Sequence, residues 1–294
     1  MKPFSVSSNG ENSKNVRDKR SIWNTDSNFE IKLEKMIESI IPVAKYKQAD
    51  FQKADSGNVR LIFLSITPPE TDFFKIKFVS AIKFLKQTIG VFVPDFVTEF
   101  GARKIRKIKG IGSEVYDYFE ELEMEYDYIR QMDGETVTIN GDNKKYVLIK
   151  NYNHLRQILE SNDSEDTIAI VLSIEGGHAL ISGDAHKVIK SHPLSTLNNL
   201  DHPKTKQLLQ SIEQNIGKVK AWSGKDGNDG DHCPLFVTFD HHFWNLLSGH
   251  APSIPGILNK ILDQTKNINT GMTELGKETI KSLLSKENGK RILI

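Results

Sequence analysis

Apolar runs alternate with amphipathic stretches along most of the chain. "GNVRLIFLSITPPE" (57–70) is β-branched and aromatic, follows a glycine and stops at Pro68-Pro69, which predicts a buried strand. A helix is expected over 71–90, with Thr71 as its cap and Gly90 at its end. Two more helical stretches follow, at about 95–109 and 113–132. Aromatics at helical spacing in the second predict a packing stripe. "ETVTINGDNKKYVLIK" (135–150) reads as a hairpin around "NGDN". "NHLRQILESN" is a short helix. "DTIAIVLSIEGG" (166–177) is apolar on both faces, as strands of a covered parallel sheet are. Next come a helix, "KTKQLLQSIEQNIGKVKAW", and a second two-sided strand, "CPLFVTFDHH" (233–242). "GHAPSIPG" (249–256) is a turn-rich loop, and "TELGKETIKSLLSKEN" (273–288) a helix capped by Thr273. "KRILI" begins one more strand. Upstream, "NFEIKLEKMIESIIPVAK" has largely helical spacing, limited by Pro42, and residues 1–28 form a polar, irregular lead-in. One domain over 29–294 is expected.

Buried strands alternating with helices mean an α/β fold with a parallel sheet. Polar residues gather just after three strands, in "TPPE", "EGGH" and "DHHFWN". Active sites lie on such loops both in (β/α) barrels and in doubly wound sheets, and the pattern does not choose between them. No G-x-G-x-x-G or Walker A sequence occurs, which lowers the nucleotide-binding version.

The 294 residues are 38% hydrophobic, enough for a substantial core, and the formal net charge is +1. That balance supplies no global field for nucleic acid or an anionic membrane. The basic run "ARKIRKIKG" (102–110) is expected to be a solvated helix face. The single cysteine, Cys233, excludes an internal disulfide and a Cys-based zinc site, and leans toward an intracellular, cytoplasmic setting. As a nucleophile it has no visible partners. No stretch reaches the roughly 18–20 apolar residues of a membrane span, and the N-terminus lacks a signal peptide's apolar middle.

Glu175 follows "IAIVLSI". A carboxylate at the end of a buried strand is held rigidly and partly desolvated, which suits a metal ligand or a general acid/base. The bland alternative is a surface acid in a polar turn. Gly176 and Gly177 give the backbone room to turn beside it. His178 is expected to order the loop by a hydrogen bond. In "FVTFDHHFWN", strand alternation would send His241 and His242 to opposite sides, so one is expected to function and the other to be structural. Asp184, His186, His192, His202 and His250 lie in loop contexts and are expected to be loop-capping groups.

"IEGGHAL", followed about sixty residues later by "FVTFDHHFWN", resembles the membrane dipeptidase (renal dipeptidase-like) family of metallopeptidases, and in particular its bacterial branch. Members carry a strand ending "EGGH" and then a strand ending "LT-x-T-H". A later helix begins with a "GLT…G" phrase, here "GMTELGKETIKSLL". "GNVRLIFLSITPPE", "HHFWN" and "GHAPS" also have counterparts, so the resemblance covers most of residues 48–294.

The resemblance implies a (β/α)₈ barrel of the amidohydrolase kind that uses two zinc ions to hydrolyse dipeptides or similar small amides. It places Glu175 as the metal-bridging ligand and His241 as the substrate-contacting catalytic residue. The family's His-x-Asp or His-x-His pair has no match upstream of Glu175, and its later histidines would fall beyond Ile294. The chain is therefore expected to be a barrel incomplete at both ends, poor at holding zinc and inactive alone. Open strand edges predict marginal solubility, and a homodimer is a further expectation. The alternatives are a non-catalytic barrel relative used for binding and another amidohydrolase-type enzyme, such as a deacetylase or lactonase.

Overall fold

A computed structural model describes residues 23, 50–75, 102–139, 141–162, 164–224, 227–254, 262–287 and 289–294. The helix expected in 28–45, the lead-in apart from Trp23, most of the 71–90 helix and the first part of the 95–109 helix lie outside these. Trp23 is buried, edge-on against Phe51 of helix α1 (Phe51–Ser56).

Among the described residues, five strands form one mixed sheet. β1 (Leu61–Ile66) pairs in parallel with β4 (Thr167–Glu175), in register from Leu61↔Ala169 to Ile66↔Ile174. β2 (Val137–Ile139) and β3 (Asp142–Leu148) are the expected hairpin, turned at Gly141 with φ of 97°. β3 runs parallel to the first half of β4, and β5 (Val237–Thr238) runs parallel to its last two residues. Leu293 bridges in parallel to Phe236, just before β5. β1, β4, β5 and Leu293 thus lie side by side in chain order. The sheet is open, so the closed (β/α)₈ barrel expected above is not formed among the described residues. What stands is a mixed α/β fold with a parallel-rich sheet.

The even-numbered side chains of β1 and β4 (Leu64, Ile66, Ile168, Ile170, Leu172, Ile174), with Val237 and Ile292, enter one buried core. After α3 (Tyr118–Gln131) come the short helices α4 (Tyr152–Leu159), α5 (Ala185–Ser191) and α6 (Leu194–Leu197), then α7 (Pro203–Lys220) and α8 (Glu274–Leu284). α3 packs on this core through Phe119, Leu122 and Ile129, α7 through Leu208, Ile212 and Ile216, and α8 through Leu275 and Leu283. The aromatic stripe of 113–132 is therefore packing, as expected. On the second face β4 is largely buried, but Phe63, Ser65 and Leu293 near the edges are exposed. No described helix is long and apolar enough to cross a membrane.

Four local expectations are corrected. Thr71 does not cap a helix: it opens a 3₁₀ turn, Thr71–Phe74, and its amide and hydroxyl are both engaged by Tyr118. The basic run forms α2 (Ala102–Ile108), but not as a solvated face. Ile105 and Ile108 go to the core, and the adjoining Lys104 and Lys107 are drawn down with them, each 2.9 Å from Glu121. The 233–242 strand shrinks to β5 because Asn245 and Gly177 both donate to the Phe239 carbonyl and turn the chain away. "KRILI" adds only the Leu293 bridge. The cap of α8 is where it was expected: the Thr273 hydroxyl accepts from the Gly276 amide.

Candidate functional site

The three polar clusters recognised in the sequence meet at the carboxyl ends of β1, β4 and β5. Glu175 is the last residue of β4, opposite Thr238. Its carboxylate is 41% exposed, so it opens onto solvent at the mouth of the sheet. The two glycines after it have separate reasons. Gly176 has φ of 95°, and a Cβ there would overlap the His178 ring. Gly177 donates to the Phe239 carbonyl, and a Cβ there would lie 2.9 Å from that oxygen. Glycine is thus required for β4 and the segment after β5 to approach this closely.

His178 is fully buried, and its Nε2–H donates to the Pro68 carbonyl at 2.8 Å. The expectation of an ordering bond holds, but the bond ties "EGGH" to "TPPE" rather than acting locally. Burial lowers the His178 pKa, so the ring is neutral and its Nδ1 lone pair has no hydrogen-bond partner among the described residues.

His241 stands between two carboxylates. Its Nδ1 is 2.5 Å from Glu70 Oε2, and its Nε2 is 3.4 Å from Glu175 Oε1, an ion-pair distance longer than an ordinary hydrogen bond. Burial opposes a charge on this ring, but Glu175 and Glu70 together outweigh it and hold the pKa up to about 9. Burial would raise Glu70 as well, yet the hydrogen bond from His241 and the surrounding imidazoles keep it below the usual carboxylate range. His241 does the same for Glu175. The group is a charged imidazolium clamped by two carboxylates.

The structure thus brings together the two site residues expected from the sequence, Glu175 and His241. The alternation argument for His241 and His242 does not apply, because the strand ends before them. Their ring centroids are 4.1 Å apart, and Phe73 packs edge-on against both. His242 is tied to Ser253, and burial, reinforced by the nearby His241 charge, lowers its pKa. The other histidines act locally or as braces: His202 caps α7, while His186 and His250 bond to the Ile108 and Lys266 carbonyls. Cys233 has its pKa raised to about 11 by burial, which leaves it a thiol without nucleophilic character.

Glu70 is the member that sequence reasoning missed. It appears there only as the last letter of "TPPE", 171 positions from its partner. Beyond His241, its second oxygen accepts from the Phe243 amide at 3.1 Å, so one buried carboxylate spans "HHF". An acid directly after a Pro-Pro strand stop was the available signal.

A catalytic zinc ion takes three protein ligands and a water. Glu175 can offer a carboxylate oxygen, but His241 as held here is protonated, with Nδ1 bonded to Glu70 and the Nε2 proton facing Glu175 at 3.4 Å. No group of three His, Cys, Asp or Glu able to hold a metal is found among the described residues. With His241 protonated, the Glu175–His241 pair in this arrangement offers one metal donor, Glu175, where a catalytic zinc takes three. Compared with protein-family models, curated proteins and solved structures, the chain matches none.

Proposed function

We propose that this chain carries part of the mouth of a metal-dependent hydrolase of the membrane dipeptidase type, acting on dipeptides or similar small amides. The observation that carries the reading is the meeting of Glu175 and His241 at the carboxyl ends of neighbouring parallel strands. The resemblance in "EGGH" and "DHHFWN" calls for that meeting. We read the open sheet as an arc of a (β/α) barrel. The support is that β1, β4, β5 and Leu293 lie in parallel side by side in chain order, with the β2–β3 hairpin set beside the start of β4.

In this reading Glu175 is a zinc ligand and His241 the group that meets the substrate. A charged Nε2–H edge suits a carbonyl oxygen on which negative charge develops. Zinc would supply a hydroxide nucleophile, but one carboxylate cannot hold two ions, and no step is assigned to them here. The chain alone is therefore expected to bind zinc weakly and to hydrolyse nothing.

The test is zinc binding by equilibrium dialysis, run beside a panel of dipeptides. Weak binding that is lost in Glu175→Gln, without turnover, is the expected result. Zinc binding untouched by Glu175→Gln would remove Glu175 as a ligand. Substantial, Glu175-dependent hydrolysis by the 294-residue chain would overturn the expectation of inactivity. The double engagement of His241 also favours a second reading, a barrel relative that binds small amides without cleaving them. Saturable, zinc-independent dipeptide binding would select it.

A further inference from the structure

The segment Thr67–Thr71 carries more side-chain braces than its length requires. The Thr67 amide donates to buried Glu125 on α3 at 2.9 Å. The Pro68 carbonyl accepts from His178, and the Pro69 carbonyl from Tyr116 at 2.9 Å. The Thr71 amide donates to Tyr118 at 3.0 Å. Four side chains from two separate stretches, 116–125 and the loop after β4, thus fix the backbone on either side of Glu70. Two prolines add φ restriction of their own. Glu70 emerges from this cradle 4% exposed, with one oxygen on His241 Nδ1 and the other on the Phe243 amide.

We propose that Glu70 is the positioning residue of the site, which fixes the His241 ring through Nδ1 and thereby aims the Nε2 edge at Glu175 and the mouth. The inference rests on the reading of the mouth as a working site and assigns a role to a residue which that reading does not use. The two carboxylates on His241 are not equivalent. Glu70 is buried, held at both oxygens and 2.5 Å away, whereas Glu175 is half open to solvent and 3.4 Å away. The short contact holds the ring, and the long one leaves room for a ligand at Nε2. Carboxylates that orient an imidazole through its far nitrogen are a general device of catalytic and metal sites.

Proton NMR of the histidine ring N–H groups tests this in the 294-residue chain without substrate or metal. A short, charge-assisted N–H···O bond gives a strongly downfield resonance. One such signal is expected in the wild type near pH 6, assigned to His241 by its loss in His241→Asn. Glu70→Gln should abolish it, with the backbone spectrum otherwise retained, and Glu175→Gln should preserve it. Should Glu70→Gln fail to fold, Glu70→Asp keeps the charge with the carboxylate one methylene short, and the signal should move upfield. Absence of the signal in the wild type, its survival in Glu70→Gln, an unmoved signal in Glu70→Asp, or equal loss in Glu175→Gln would each overturn the assignment. Zinc binding plays no part in this readout, so failure of the Glu175 reading leaves the Glu70 result standing, and the reverse.

Discussion

Glu125 lies buried on α3, where it accepts the Thr67 amide. Burial pushes its carboxyl up to about 8, against the pull of Lys104 and the amide. A folded-state pKa above the unfolded value of 4.5 means that the fold favours the protonated acid. That stability is fully present below pH 4.5 and is lost as pH rises toward 8, at up to about 1.4 kcal/mol per pH unit. Glu125→Gln keeps an acceptor for the amide but cannot ionise. Its stability relative to the wild type should therefore climb by roughly 2–4 kcal/mol between pH 5 and 8 in urea denaturation. A difference that stays level across that range would show that Glu125 does not titrate in this way. His232 works with the opposite sign. The Tyr126 hydroxyl donates to the Ser223 carbonyl, so it accepts from His232 Nδ1–H, and the buried Nε2 has no hydrogen-bond partner among the described residues. Burial, with Lys150 nearby, lowers this pKa from 6.5 to about 4. The unfolded chain takes up the proton first as pH falls, so stability is lost from pH 6.5 down to 4, by about 2–3 kcal/mol in all. His232→Asn retains a donor toward Tyr126 and should flatten this acid limb in denaturation curves between pH 4.5 and 6.5. An unchanged slope would reject the mechanism.

Elements were legible in the sequence wherever a local signal decides them. The hairpin at 137–148 follows from its turn, β4 from its apolar run, and α8 from Thr273. Signals that depend on a distant partner were not. Nothing near Lys104 and Lys107 announces Glu121, and nothing near "TPPE" announces His241. The mouth was half legible for the same reason: the strand ends mark Glu175 and His241, but only tertiary contact shows which carboxylate grips the imidazole. Gly276 displays the conflict within one element. Helix propensity alone predicts that alanine at this first-turn position of α8 stabilises by up to about 1 kcal/mol. In the fold, a Cβ there would overlap the Leu247 carbonyl, which also accepts from the Thr273 hydroxyl and amide. Gly276→Ala should therefore destabilise, by about 2–3 kcal/mol, through the shift of α8 away from that carbonyl. Thermal melting decides it: a raised Tm would mean that α8 can slide without cost.

At the scale of the whole molecule, the described helices cover one face of the sheet, and the other face exposes apolar side chains. Parallel sheets are normally covered on both faces, because their strands are apolar throughout. Here the helices cover the face that carries Leu64, Ile66 and Ile170, whereas Phe63 on the opposite face is 53% exposed and Leu293 48%. Phe63 and Phe236 have ring centroids 6.3 Å apart, so the exposed residues are neighbours rather than scattered singles. Beside them, β1 pairs only with β4 among the described residues, which leaves one row of its backbone groups for another strand. An apolar patch next to an open parallel edge favours self-association. The chain is thus expected to associate as its concentration rises through the micromolar range in sedimentation velocity. Phe63→Lys places a charge on the patch and beside the edge, and should shift association to at least several-fold higher concentration. Because Phe63 is more exposed than buried, the same change should leave unfolding free energy within about 1 kcal/mol of the wild type. A wild-type chain that stays monomeric over the whole range would mean that the second face is covered in solution. A Phe63→Lys variant that associates as readily as the wild type would place the contact elsewhere on the molecule.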